Sequence, residues 1–242
     1  MKLARIFLLI FSLIALAAAV PQSGSVYPVM VWQYQPANPK PLRVVYSPSD
    51  KALEYKLRQG ILKAKAKVGI WYQCGQKVTY EKWYSQAQEI AKAAIESAVP
   101  LGVNPVGQLA TWMQESGLDP CAIGPSVRNY AISKGILKAK KTTISYSKEE
   151  VLKMLADPEI RLMYPVVDIG LAQLLYPYYT RNASLSDMLT VIPGAKYSAL
   201  ELAKRSKSFE TDEPWVTWPG HISEGRRKKI HWWVYKVMEI SF

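Results

Sequence analysis

Between residues 50 and 240 apolar positions recur mostly at helical spacing, and strict alternation is scarce. Leu53, Leu57, Ile61 and Leu62 stripe a first helix over 51–68, and its lysines, Lys56 to Lys67, read as the solvated face. Trp83, Ala87, Ile90, Ala91, Ala94 and Ile95 predict a second helix over 80–99, broken by Pro100 and Gly102. Val106, Leu109, Ala110 and Met113 stripe a third, with Pro105 suited to its first turn and Gly117 to its close. Ser147 to Glu150 forms a capping box ahead of Val151, Leu152 and Leu155, and Asp157-Pro158 starts a further helix up to Pro165. Residues 170–179 and 195–207 also read as helical, whereas 210–220 reads as a loop holding Trp215 and Trp218. Ile230, Trp233, Val234 and Val237 stripe a closing helix whose basic start, Arg226 to Lys229, is expected to face solvent or a polymer. The fold class is therefore predominantly α.

The amino-terminal end has a different pattern. Lys2 and Arg5 precede an apolar run from Ile6 to Leu16 and then Ala17-Ala18-Ala19, the layout of an export signal cut after Ala19. An uncleaved membrane anchor is the alternative. Six prolines from Pro21 to Pro48 predict an extended segment with a short strand around 29–34. The expected organisation is a signal at 1–19, a proline-rich extension with its basic helix at 20–70, and a helical domain at 71–242. No later stretch is long and apolar enough to span a bilayer, so a periplasmic or secreted protein is expected, with no integral membrane span after signal cleavage.

A formal net charge of +12 favours an anionic partner. No nucleic-acid motif is present, and in an exported chain an anionic wall polymer or membrane surface fits better than nucleic acid. The two cysteines, Cys74 and Cys121, predict a disulfide in that compartment. His221 and His231 give no zinc spacing with them, so no metal site is expected.

Glu115 stands out within the third helix. It falls in the last turn, where the helix dipole opposes negative charge, and Trp112 and Met113 adjoin it in sequence. Both features favour a carboxyl group that keeps its proton, as a general acid on a glycosidic oxygen must. A partly exposed glutamate at a helix end is the plain alternative.

Three segments, taken in order, resemble the soluble lytic transglycosylase family of peptidoglycan-cutting, lysozyme-like enzymes. The first is 90–122, with Leu-Gly-Val-Asn-Pro followed by Trp-Met-Gln-Glu-Ser-Gly-Leu-Asp-Pro-Cys-Ala. The second, Asp168-Ile-Gly-Leu-Ala-Gln-Leu-Leu-Tyr-Pro177, is similar to the family's Gly-Leu-Met-Gln-Leu-Met-Pro signature, with Ala172 in place of Met and one extra residue before the proline. The third is 192–204, similar to the helix that follows. Two departures are plain: the 55 residues from Glu115 to Gly170 imply an insertion within 125–165, and the family's Tyr-Asn-Ala-Gly-Pro-Gly motif is replaced by Trp218-Pro-Gly-His221.

The resemblance implies a single lysozyme-like helical domain, with Glu115 as the one catalytic acid. It also implies sugar contacts from Gln173, Trp218 and Tyr235, with Tyr130 a further candidate and Ser116 orienting Glu115 or the helix end. Peptidoglycan glycan strands would be the partner, with no metal or organic cofactor. Two alternatives stay open: a lysozyme-type hydrolase on the same scaffold, and a non-catalytic wall-binding component of a secretion or viral assembly.

Overall fold

In chain order the elements are α1 (Lys51–Val68), the hairpin of β1 (Tyr72–Gln73) and β2 (Gln76–Lys77), α2 (Tyr80–Ala98), α3 (Pro105–Ser116), α4 (Pro125–Ser133), α5 (Lys148–Ala156) and α6 (Pro158–Met163). They continue with the antiparallel hairpin of β3 (Val167–Ile169) and β4 (Leu174–Tyr176), then α7 (Leu185–Met188), α8 (Val191–Ser208) and α9 (Glu224–His231), which runs on as a π-helical segment, Trp232–Met238. This computed structural model describes residues 50–69, 72–140, 145–178, 183–218 and 220–240, and it is predominantly α. The expected export signal, extension and strand near 29–34 lie outside the described residues.

Helix α3 is the axis of the fold. Pro105 to Met113 are all buried, and a helix buried on every side belongs inside a core. The Asn104 side chain caps it by accepting from the Val106 N–H at 2.9 Å, and Gly117 (φ 62°) closes it with an N–H donated to the Met113 carbonyl. Trp112 sends its indole N–H to the Ser198 hydroxyl on α8 at 2.9 Å, and the Gln108 amide donates to the Ala195 carbonyl at 2.9 Å. Both side chains thus pin α3 to α8. Gly107 presses on the buried Trp215 ring so closely that any Cβ there would overlap it.

Helix α1 belongs to this core, although the sequence grouped it with the extension at 20–70. Leu53, Leu57, Ile61 and Ala64 are buried, and α1 packs against α2 and the π-helical segment. One of its lysines also departs from the expected solvated face. Lys65 follows Leu53, Leu57 and Ile61 at four-residue intervals and is only 1% exposed. Its ammonium lies 3.6 Å from the centre of the Trp83 ring and donates to the Gly117 carbonyl at 3.2 Å, just beyond α3.

The stretch 170–179, read as helical, forms a turn and a strand instead. Gly170 (φ 76°) and Gln173 (φ 50°) reverse the chain between β3 and β4, so that Asp168 faces Leu175 across the hairpin. Only glycine fits at 170, because a Cβ would meet the Met188 carbonyl oxygen at 2.5 Å. Within the expected insertion, α4, α5 and α6 form, and the predicted capping box at Ser147 and Glu150 is present. No helix among the described residues is long and apolar enough to cross a membrane.

Candidate functional site

The last three residues of α3 are each tied to a different element. Gln114 accepts the indole N–H of Trp233, from the π-helical segment, at 2.9 Å. Glu115 forms an ion pair with Arg226 of α9, the two side chains being 19% and 11% exposed. The Ser116 hydroxyl donates to the Leu171 carbonyl in the β3–β4 turn at 2.7 Å, within reach also of the Trp112 carbonyl. These three tethers fix the direction in which the end of α3 presents its carboxylate.

Trp112 and Met113, which adjoin Glu115 in sequence, are buried in the core at 0% and 2% exposure. One expectation about this site changes. Arg226, expected on a solvent-facing basic stretch, turns inward instead. Its Nη1 takes the Glu115 carboxylate, while its buried Nε and Nη2 have no hydrogen-bond partner among the described residues. Arg227 is likewise drawn into pairs with Glu213 and Glu224.

A second carboxyl group, Asp168 on β3, joins the site without a sequence motif of its own. It is half-buried, and burial first and the Glu115 charge second raise its pKa above the ordinary aspartate value. Its backbone holds the turn beside it, the Asp168 carbonyl accepting from the Gly124 N–H at 2.8 Å. Gly124 has no Cβ to collide with the Asp168 side chain, which a Cβ would approach to 3.2 Å. The one sequence signal for Asp168 was its place at the head of the Gly-Leu-Ala-Gln segment.

The loop leaving α3 is heavily braced. Gln73 donates its side-chain amide to the Leu118 carbonyl at 2.7 Å, and Cys121 is bridged to Cys74 as expected. Asp119 accepts from the Cys74 N–H at 3.0 Å, the Cys121 N–H at 2.9 Å and the Ser145 hydroxyl at 2.5 Å. Burial raises its pKa despite these bonds, while burial lowers that of Lys65, the cation facing it, to about 7. Asp119 lies within 4.8 Å of both sulfurs, but the sulfurs are joined to each other and offer no thiolate to a metal.

The remaining sequence candidates each have partners of their own. The Gln173 amide donates to the Ala122 and Gly170 carbonyls at 3.1 and 3.0 Å, bracing the turn. Trp218 is half-buried with the Arg205 guanidinium over its ring. Tyr130 meets Tyr164 edge-on and donates its hydroxyl to Glu159 at 2.7 Å. Tyr235 is 47% exposed and stands edge-on to His231. Of the six catalytic and sugar-contact candidates, Glu115 and Ser116 adjoin at the end of α3, and the turn that carries Gln173 is tied to Ser116 through Leu171. Arg226, Asp168 and Trp233 are the unforeseen partners of this helix end. Compared with models of known protein families, with curated proteins and with solved structures, the chain matches none.

Proposed function

We propose that this chain is a peptidoglycan lytic transglycosylase, acting on the β-1,4 bond between N-acetylmuramic acid and N-acetylglucosamine in the bacterial wall. The observation that carries the reading is convergence on one helix. Ser116 joins the Glu115 helix to the turn of the Gly-Leu-Ala-Gln segment, while Gln108 and Trp112 join it to α8. The three segments of the resemblance thus meet on the helix that carries Glu115, although they lie far apart in sequence.

In this reading Glu115 gives its proton to the glycosidic oxygen as the bond to C1 breaks. The resulting carboxylate then takes the proton of the muramyl 6-hydroxyl, whose oxygen closes onto C1. The enzyme returns to its starting protonation state, and no water is consumed. The nucleophile belongs to the substrate and is held close to C1, so one carboxylate can serve both steps. Because Arg226 holds Glu115 as a carboxylate in the free protein, an entering glycan must draw the guanidinium away and Glu115 must take up a proton from solvent before the first transfer.

A lysozyme-type hydrolase is the second reading, and Asp168 favours it. A carboxyl group with a raised pKa beside one paired to arginine resembles the division between acid and base in ordinary glycosidases. Mass spectrometry of fragments released from purified peptidoglycan separates the two. Anhydro-muramyl ends, lighter by one water, are expected. Reducing ends alone would move the chain to the hydrolases, and no release at all would leave the wall-binding role.

A further inference from the structure

A polar cleft of about 340 Å³ lies between the β1–β2 hairpin, α2, and the starts of α5 and α8, and it contains none of Glu115, Arg226 and Asp168. It meets the loop after α3 only at Pro120 and the disulfide at Cys74. Lys82 and Lys148 bring cations to it, and Glu89 and Glu149 bring carboxylates. Some of this charge is already used: Lys82 donates to Gln76 at 3.3 Å, and Glu149 is held by its own backbone N–H and the Ser147 hydroxyl. Lys148 and Glu89 form no ion pair among the described residues, with each other or elsewhere. Gln86 adds a buried carbonyl oxygen with no hydrogen-bond partner among the described residues. Val78, Ile90 and Val191 supply apolar wall between these groups. At the start of α8, Thr190 gives its hydroxyl to the Asp187 carbonyl, so no side chain caps the first N–H groups of that helix.

An open cation, an open carboxylate and an orphaned acceptor that share a cleft without pairing call for a ligand charged oppositely at its two ends. We propose that this cleft binds a short peptide with a free carboxylate and a free amine, the carboxylate at Lys148 and the amine at Glu89 and Gln86. The volume is at the small end for ligand sites and suits about three residues. That the natural ligand is a peptide of the bacterial wall rests on the function proposed above; the charge complementarity does not.

The test uses trialanine as the probe on the full protein, followed by calorimetry and by the NMR signal of the Gln86 side-chain amide. Binding is expected, with a loss of at least tenfold when the carboxylate is amidated and again when the amine is acetylated. Lys148→Glu should erase the effect of amidation, and Glu89→Lys that of acetylation, because neither surface change threatens the core. Equal binding of blocked and unblocked peptides, or no shift at about 10 mM, would overturn the proposal. Because the muramyl lactyl group acylates the amino end of an attached peptide, the source is tested with Glu115→Gln protein and a muropeptide whose peptide keeps a free side-chain amine, against one without peptide: preference for the first is expected, and equal binding overturns the wall assignment. Wall cleavage without trialanine binding defeats this inference alone, and trialanine binding without wall cleavage defeats the transglycosylase reading alone.

Discussion

Arg226 and Glu115 stand 111 residues apart in the chain and form one ion pair, with the guanidinium 11% and the carboxylate 19% exposed. This relationship sets what Glu115→Gln will do. From the helix dipole alone, a neutral side chain in the last turn would leave stability level or raise it slightly. With Arg226 in place, the substitution leaves a mostly buried guanidinium, already short of partners at Nε and Nη2, without its counter-charge. We expect Glu115→Gln to cost about 1–3 kcal/mol in urea unfolding, and Glu115→Gln with Arg226→Gln to cost less than the sum of the single changes. Turnover should fall by about 10²–10⁴-fold or more, since one group serves as both acid and base. Strict additivity in the double-mutant cycle would mean that the pair does not matter to the fold.

The same charge acts on Asp168. The Glu115 carboxylate is the second cause, after burial, that raises the Asp168 pKa. Removing a nearby negative charge makes ionisation easier, so Glu115→Gln should move the Asp168 titration to lower pH. Carbon-detected NMR of the side-chain carboxyl signals, assigned with Asp168→Asn, reads this directly. An unmoved or upward titration would separate the two groups and remove the support for the hydrolase reading.

Local pattern made α3 legible because its determinants are local: an apolar stripe, Asn104 and Pro105 at its start, and Gly117 at its end. Lys65 was legible too, being spaced four residues from Ile61 and eight from Leu57, but a run of lysines masked the period. The segment 170–179 is ambiguous in sequence because Leu171, Ala172, Leu174 and Leu175 suit a helix as well as a hairpin. The positive φ at Gly170 and Gln173 decides between them, and at Gly170 the Met188 carbonyl oxygen, far off in sequence, leaves no room for a side chain. The pairing of Glu115 with Arg226 has no local signature, since neither residue's neighbours in sequence encode where α9 will dock.

Gly107→Ala should be among the most damaging single-methyl changes in the protein. The added Cβ would overlap the Trp215 ring, which is 2% exposed and walled in by the core. Overpacking typically costs about 1–3 kcal/mol, and a rigid indole leaves little room for relief. Thermal unfolding checks it; a change below about 0.5 kcal/mol, the range of ordinary surface substitutions, would show that Trp215 can shift.

Thiol labelling of the denatured, unreduced protein should find neither Cys74 nor Cys121 free. The bridge spans 47 residues of sequence, so reducing it should lower stability by about 4 kcal/mol in the chain-entropy model. The loss should be felt at the end of α3, since Cys121 lies in the loop that Asp119 and Gln73 brace. Two reactive thiols, or unchanged unfolding after reduction, would contradict this.

Lys65 should leave a mark on the pH dependence of stability. Burial lowers its pKa in the folded protein to about 7, whereas an unfolded lysine titrates near an ordinary value of about 10.4. Between those two values the unfolded chain binds more protons at this position than the folded one. Stability from this group therefore rises with pH across the window, by at most about 1.4 kcal/mol per unit, and is lost as pH falls towards 7. Asp119, the acid facing Lys65, has the opposite sign, because its raised pKa makes ionisation a cost that grows as pH rises. Comparison with Lys65→Met reads the lysine together with its charge effect on Asp119, whose pKa Lys65 lowers. Urea unfolding at about pH 7 and about pH 9.5 should show the wild type gaining stability relative to the variant. The variant will also lose the hydrogen bond to the Gly117 carbonyl, but that shifts both of its values together and leaves the slope unaffected. Parallel pH profiles for the two proteins would mean that Lys65 keeps an ordinary proton affinity beneath the end of α3.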